Sequence, residues 1–253
     1  MQVTASFGHQ PISSCALIIS FAAQGFIGSE LSKRLEEKNH KIFGIDIKVG
    51  KNIFTAELPE VDLVIHLAAI GGVRESMSDP KKYWDMNVEG TRKILEHYQK
   101  TRVLYAGSSS QYEPHLNPYA ATKNVIEYIP HPNSVCMRFH TVYSKTPRFN
   151  MFFDKLLNGK LEYVTNHKRD FIHVEDLCSA ILCIIDNPFF KGPLDIGTGQ
   201  NIRIRDIAPN LPVKEITLGE REETLADLTK IKSLGWEPKW TVQKFLSEEG
   251  FDI

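Results

Sequence analysis

The stretch Cys15-Ala16-Leu17-Ile18-Ile19-Ser20-Phe21-Ala22-Ala23-Gln24-Gly25-Phe26-Ile27-Gly28 runs from an apolar segment through a glycine-bearing turn into an amphipathic pattern. Cys15–Phe21 reads as a buried strand and Gly28–Lys38 as the helix that follows it. A strand that turns through glycines into a helix directs backbone amides and the helix dipole at a pyrophosphate, the arrangement of a dinucleotide site. Ala22, Gly25, Phe26, Ile27 and Gly28 are its residues here. Ala22 stands where a glycine is usual, so its methyl crowds the backbone approach. Asp46 closes the next strand-like run, Lys41–Asp46. It is placed to accept from both adenosine ribose hydroxyls and to repel a 2′-phosphate, which favours NAD over NADP. Taken alone, the same residues also suit a tight helix–strand contact beside a solvated aspartate.

Working outward, Asp62–Leu67, Arg102–Ala106 and Ser134–Phe139 read as strands, Pro80–Lys100 as a long helix and Tyr119–Ile129 as a shorter one. Apolar strands separated by helices imply an α/β fold, a Rossmann-type doubly wound parallel sheet. After Thr141 the pattern loosens into a helix near Met151–Leu157, an apolar piece at Leu161–Val164 and a helix over Val174–Ile185. The expected organisation is an NAD-binding Rossmann domain over 1–145, to which 167–200 partly return, and a small substrate-binding lobe over 146–253.

Composition narrows the field. The chain has 253 residues, 42% hydrophobic and 24% charged, which suits one soluble domain or slightly more with a sizeable core. A net charge of −1 gives no field for nucleic acid or a membrane surface. Cys15, Cys136, Cys178 and Cys183 show neither C-x-x-C nor metal-ligand spacing, and read as free thiols of a reducing compartment. Ala16–Ala23 is too short to span a bilayer, and the residues before it lack the form of a signal peptide. The cytoplasm is the expected location. The nine histidines lack H-x-x-x-H spacing and cysteine partners, so no metal is expected.

A second stretch bears on chemistry: Ser108-Ser109-Ser110-Gln111-Tyr112, then Tyr119-Ala120-Ala121-Thr122-Lys123. Tyr119 and Lys123 share one face of a helix, one turn apart. An ammonium near a phenol favours the phenolate, and a hydroxyl at the end of the preceding strand can bind the same substrate oxygen. Such a set suits taking a proton from an alcohol while a hydride leaves its carbon. The spacing by itself also fits two surface residues of a helix.

Further pieces follow in order: His66-Leu67-Ala68-Ala69; Gly72-Val73-Arg74-Glu75-Ser76 with Pro80, Tyr83, Asn87 and Gly90; Arg138-Phe139-His140-Thr141-Val142-Tyr143; Arg169-Asp170-Phe171-Ile172-His173-Val174; Ile196-Gly197-Thr198-Gly199; Leu234-Gly235-Trp236-Glu237-Pro238. Together with Gly25–Leu31, Ser108, Tyr119 and Lys123 they resemble the extended short-chain dehydrogenases, the NAD-dependent nucleotide-sugar epimerase and dehydratase family. The likeness spans roughly Ala16 to Leu246. It implies Ser108, Tyr119 and Lys123 as the catalytic set. It implies NAD held by the glycine turn, Asp46, Leu67, Ala68, Ala69, Asn87, Tyr119 and Lys123. His66 and His173 are expected to pack or cap.

Within that family, dehydratases and decarboxylases carry acidic residues just after the catalytic hydroxyl. Ser109 and Ser110 stand there in this chain, which favours 4-epimerisation. Thr141-Val142-Tyr143 with Arg148 and Met151 resembles the uronate pocket of UDP-glucuronate 4-epimerases, although Ser144-Lys145 and Phe149-Asn150 depart from it. On composition Arg148 also suits a solvated loop charge. The resemblance implies Ser109, Ser110, Thr141 and Arg148 around the sugar, Arg169 and Arg221 on the diphosphate, a UDP-sugar as partner and a homodimer through Pro80–Lys100 and Tyr119–Ile129. Against relatives, the connector after Asp46 is short. Asn52–Glu57 is expected to supply a reduced strand, leaving the adenine site open and NAD loosely held. A 4-keto reductase, a dehydratase and a non-catalytic binding relative are the competing readings.

Overall fold

The strands are apolar on both faces, as a parallel sheet covered by helices requires. LVIH of the third strand is wholly buried, and LIISF of the first is buried from its second residue onward. The computed structural model describes residues 12–215 and 218–251. The reading that the first residues form no signal peptide falls largely outside them.

In chain order the elements are β1 (Leu17–Phe21), α1 (Phe26–Glu37), β2 (Lys41–Ile45), β3 (Leu63–His66), α2 (Val73–Ser78), α3 (Pro80–Tyr83) and α4 (Gly90–His97). Next come β4 (Arg102–Ser108), α5 (Pro118–Val125), β5 (Ser134–Phe139), β6 (Thr141–Tyr143) and α6 (Phe152–Leu157). The chain finishes with β7 (Lys168–His173), α7 (Val174–Asp186), β8 (Gly192–Ile196), β9 (Asn201–Arg203), α8 (Ile204–Ile207), α9 (Thr229–Ser233) and α10 (Val242–Glu248). Six strands pair in the order β2-β1-β3-β4-β5-β8, all parallel. This is the Rossmann-type doubly wound sheet the alternation implied. Strand order reverses between β1 and β3, which opens a crevice beyond their carboxyl ends.

Four local readings need correction. Asn52–Glu57 forms turns rather than a strand. The Asn52 side chain accepts from the Phe54 amide at 2.9 Å and its carbonyl from the Ala56 amide at 2.8 Å, a local alternative to a ladder. β2 is therefore the sheet edge. The 80–97 helix is interrupted by a π-helical stretch, Trp84–Glu89, whose extra residue aims Asn87 at the loop after β3. Leu161–Val164 makes one isolated bridge, Val164 to Val213. β4 also runs two residues further than read, so that Ser108 ends it.

A second sheet, β6-β7-β9, packs Tyr143, Phe153, Phe171 and Phe245 into a small aromatic core, with Tyr143 and Phe153 stacked at 4.8 Å. α7 and β8 instead bury Leu177, Ile181, Ile184, Leu194 and Ile196 against the main sheet. The two sheets are tied by Asp170 of β7, which is fully buried. Its carboxylate accepts from Thr198 N at 2.7 Å, Thr198 Oγ1 at 2.8 Å, Gly199 N at 2.9 Å and Ala226 N at 3.0 Å. Cys136 and Cys178 are buried, Cys183 half-buried and Cys15 exposed, all as free thiols. Among the described residues no helix is long and apolar enough to cross a membrane.

An amide at position 170 offers one oxygen where four donors now meet a carboxylate. Asp170→Asn should cost about 1.5–3 kcal/mol, the range for hydrogen bonds to a charged group. Urea unfolding measures it, and an unchanged midpoint would discard the view that this carboxylate ties the sheets.

Candidate active site

Every residue singled out for chemistry or binding lies toward the carboxyl end of the main sheet or on the lobe facing it. At the glycine turn, Ala22 has φ +62°, the left-handed region that glycine adopts freely and alanine does not. Its amide donates to Ile45 O at 2.8 Å and its carbonyl accepts from Gly25 N at 3.0 Å. A side chain at Gly28 would run into the Ala22 carbonyl, so only glycine lets α1 sit this close to β1. Gly25 occupies the N-cap and supplies no side-chain acceptor, leaving the first amides of α1 for an anion.

Asp46 is buried, with Oδ2 accepting from Gln24 N at 2.8 Å and Oδ1 from Lys48 N at 2.9 Å. Each oxygen keeps a lone pair for a ribose hydroxyl. Leu67 and Ala68 are half-buried at the end of β3 and Ala69 is exposed. Asn87 is buried and spends its amide on the loop: it accepts from Ile70 N at 2.8 Å and donates to Ile70 O at 3.0 Å and Thr122 Oγ1 at 3.2 Å. It shapes the rim of the crevice more than it faces it. His66 contacts Thr91 Oγ1 at 3.1 Å and burial lowers its pKa to about 3, so it packs as a neutral ring. His173 accepts from Glu175 N to cap α7.

Asn117 caps α5 by accepting from Ala120 N at 2.7 Å, and Pro118 fills the first helical position. Tyr119 and Lys123 follow one turn apart. Ser108 ends β4 and accepts from Ser110 N at 3.1 Å. Burial pushes the Tyr119 phenol above its ordinary pKa, while a hydrogen bond with Ser108 and the charge of Arg148 pull it back. The Lys123 ammonium turns inward to Ala106 O at 2.7 Å, and burial lowers its pKa to about 8. The bond to Ala106 O uses one N–H of the ammonium and leaves two donors. Arg148 is the charge that opposes burial at the Tyr119 phenol.

Ser109 is buried and Ser110 half-buried in the turn after Ser108. Thr141 opens β6 opposite Phe171. Arg148 donates Nη2 to Gly71 O at 3.0 Å, and Tyr83 Oη donates to the same carbonyl at 3.2 Å. Tyr83 and Tyr119 meet edge to face at 6.2 Å. Arg169 and Arg221 are both engaged with protein acceptors. Arg169 donates to Lys168 O at 2.9 Å and lies 3.5 Å from Glu220, which also pairs with Arg74 at 3.0 Å. Arg221 pairs with Glu113 at 2.8 Å. Neither glutamate was singled out from the sequence, because nothing local marks a residue whose partner lies across the cleft.

The residues present fit a dinucleotide. The uncapped start of α1 suits the pyrophosphate, Asp46 the ribose hydroxyls, and the spare donors of Lys123 the nicotinamide ribose. A model of the NAD dependent epimerase/dehydratase family matches residues 23–197. Protein CapI of Staphylococcus aureus is 30% identical over 68% of this chain and 70% of its own. A UDP-glucuronate 4-epimerase of Thermodesulfobacterium geofontis is 27% identical, covering 85% of this chain and 80% of its own. Among solved structures, MoeE5 in complex with UDP-glucose and NAD matches with a TM-score of 0.81 at 25% identity, covering 92% of this chain and 96% of that one. MoeE5 also has a complex with UDP-glucuronic acid and NAD. The chain belongs to the NAD-dependent epimerase/dehydratase family. With that membership come NAD as the cofactor and nucleotide-sugar epimerase chemistry as the enzyme class.

Ala22 stores strain of about 1–2 kcal/mol in its left-handed conformation. Ala22→Gly should raise the melting temperature by about 2–8 °C and tighten NAD in a calorimetric titration. A lower melting temperature, or an unchanged affinity, would show that the methyl obstructs nothing.

Proposed function

We propose that this chain is a UDP-sugar 4-epimerase whose favoured substrate is UDP-glucuronate. The observation that carries the proposal is the pairing of Ser108 with Tyr119 at the crevice, with Arg148 beside them and no carboxylate at 109 or 110. Tyr119 takes the proton of the sugar 4-hydroxyl. Ser108, its oxygen fixed by the Ser110 amide, shares the hydrogen bond to that hydroxyl. NAD, when bound, serves as the reversible hydride acceptor at C4. The 4-keto sugar turns about its diphosphate tether and takes the hydride back on the other face of C4, while Tyr119 returns the proton to the 4-oxygen.

Dehydration would need an acid and a base where Ser109 and Ser110 stand. The planar guanidinium of Arg148, with Thr141 at the head of β6, suits a uronate carboxylate. Similarity to a UDP-glucuronate 4-epimerase supports the same choice, and similarity to MoeE5, solved with UDP-glucose and with UDP-glucuronic acid, supports a UDP-sugar. We place a homodimer contact on the outer side of the 80–97 helices and the α5 end, where Trp84 and Tyr128 are exposed.

Incubation with UDP-glucuronate or UDP-glucose and NAD should yield the C4 epimer with no net change in NADH; stoichiometric NADH consumption would point instead to a keto-reductase. Tyr119→Phe should lower kcat by about 10²-fold or more, the span of general-base catalysis, with an unaltered melting curve. Retained turnover would remove Tyr119 from the role of base.

Arg148 holds the phenol pKa down, so taking its charge away raises it. In Arg148→Gln the ascending limb of kcat/KM against pH should therefore move to higher pH. A limb that stays put would mean another group sets it.

A further inference from the structure

The guanidinium of Arg221 touches three parts of the turn that follows Ser108. Nη1 donates to Ser109 O at 2.9 Å, Nε donates to Glu113 Oε1 at 2.8 Å, and the group lies over the Tyr112 ring at 5.6 Å. The other side of the turn is held from below. Tyr112 Oη donates to Asp195 Oδ1 at 2.7 Å and accepts from Arg138 Nη1 at 2.7 Å. The link onward to α5 is short, and Asn117 at its end donates to Gly219 O at 2.8 Å, two residues before Arg221. The turn after Ser108, the start of α5 and the lobe segment 219–221 are thus bonded to one another. Two of the guanidinium N–H groups are committed to protein, and Glu113 offsets the charge that a diphosphate would seek.

We infer that Arg221 and Glu113 are a positioning pair: their ion pair holds the Ser109–Tyr112 turn, and through it the Ser108 hydroxyl, in register with Tyr119. This rests on the epimerase reading above. Ser108 and Tyr119 sit on different elements, one ending β4 and one opening α5, so their separation is set by what braces the loop between them. Arg221 braces it from the lobe.

The test uses the whole chain with NAD and UDP-glucuronate, comparing Arg221→Ala, Glu113→Gln and the double variant. Each single change should lower kcat by about 10–100-fold, the cost of a displacement near 1 Å. The double should lose no more than the worse single, because the pair acts as a unit. KM and the inhibition constant of UDP should stay near the wild-type values. A UDP constant weakened about tenfold or more in Arg221→Ala, with Glu113→Gln fully active, would overturn the inference and make Arg221 a diphosphate ligand. If the unaltered chain turns over no UDP-sugar, the proposed function fails by itself. The pair is then judged on melting temperatures of the four proteins: equal losses in both singles with none added in the double support it, and additive losses overturn it.

Discussion

Four hydrogen-bond donors converge on the buried carboxylate of Asp170, and the placement of the lobe follows from that. Its donors come from the loop after β8 and from the strand-like return at 224–226, so one side chain joins the main sheet, the small sheet and the segment that brings Arg221 to the cleft. A buried charge of this kind is tolerated only when its lone pairs are filled. The requirement works in both directions. Filling them fixes the backbone of three separate segments, and Arg169, the neighbour of Asp170 in sequence, is thereby fixed at the cleft mouth.

Burial and charge compete at the reacting hydroxyls. Desolvation raises the phenol of Tyr119 and lowers the ammonium of Lys123, so each group is pressed toward its neutral form. Arg148 and Ser108 oppose this for Tyr119. Under the proposed function, Arg148 would both meet the uronate carboxylate and act on the phenol of Tyr119.

Much of this was legible from the chain. Apolar runs fixed the parallel strands because burial on both faces leaves no alternation to read, and the glycine turn marked the crevice because only glycine at 28 permits the contact with Ala22. What escaped was set by partners distant in sequence. Arg221 and Glu113 are 108 residues apart, and Arg74 and Glu220 are 146 apart. A hydrophobic period does not register the π-helical residue that aims Asn87. Asn52 diverted an expected strand into turns by bonding its own neighbours, a choice of a few tenths to about 1 kcal/mol that strand-forming residues nearby could have reversed.

The missing strand beyond β2 has a consequence for colloidal behaviour. An unpaired margin of a sheet is a template for accretion by other chains. In this molecule Lys51 folds back over it, donating to Gly44 O at 3.4 Å and lying over the Phe43 ring at 4.8 Å. Lys41 opens the same strand and Lys48 follows close behind it. Positive charge along the rim sets repulsion against a second copy arriving in register.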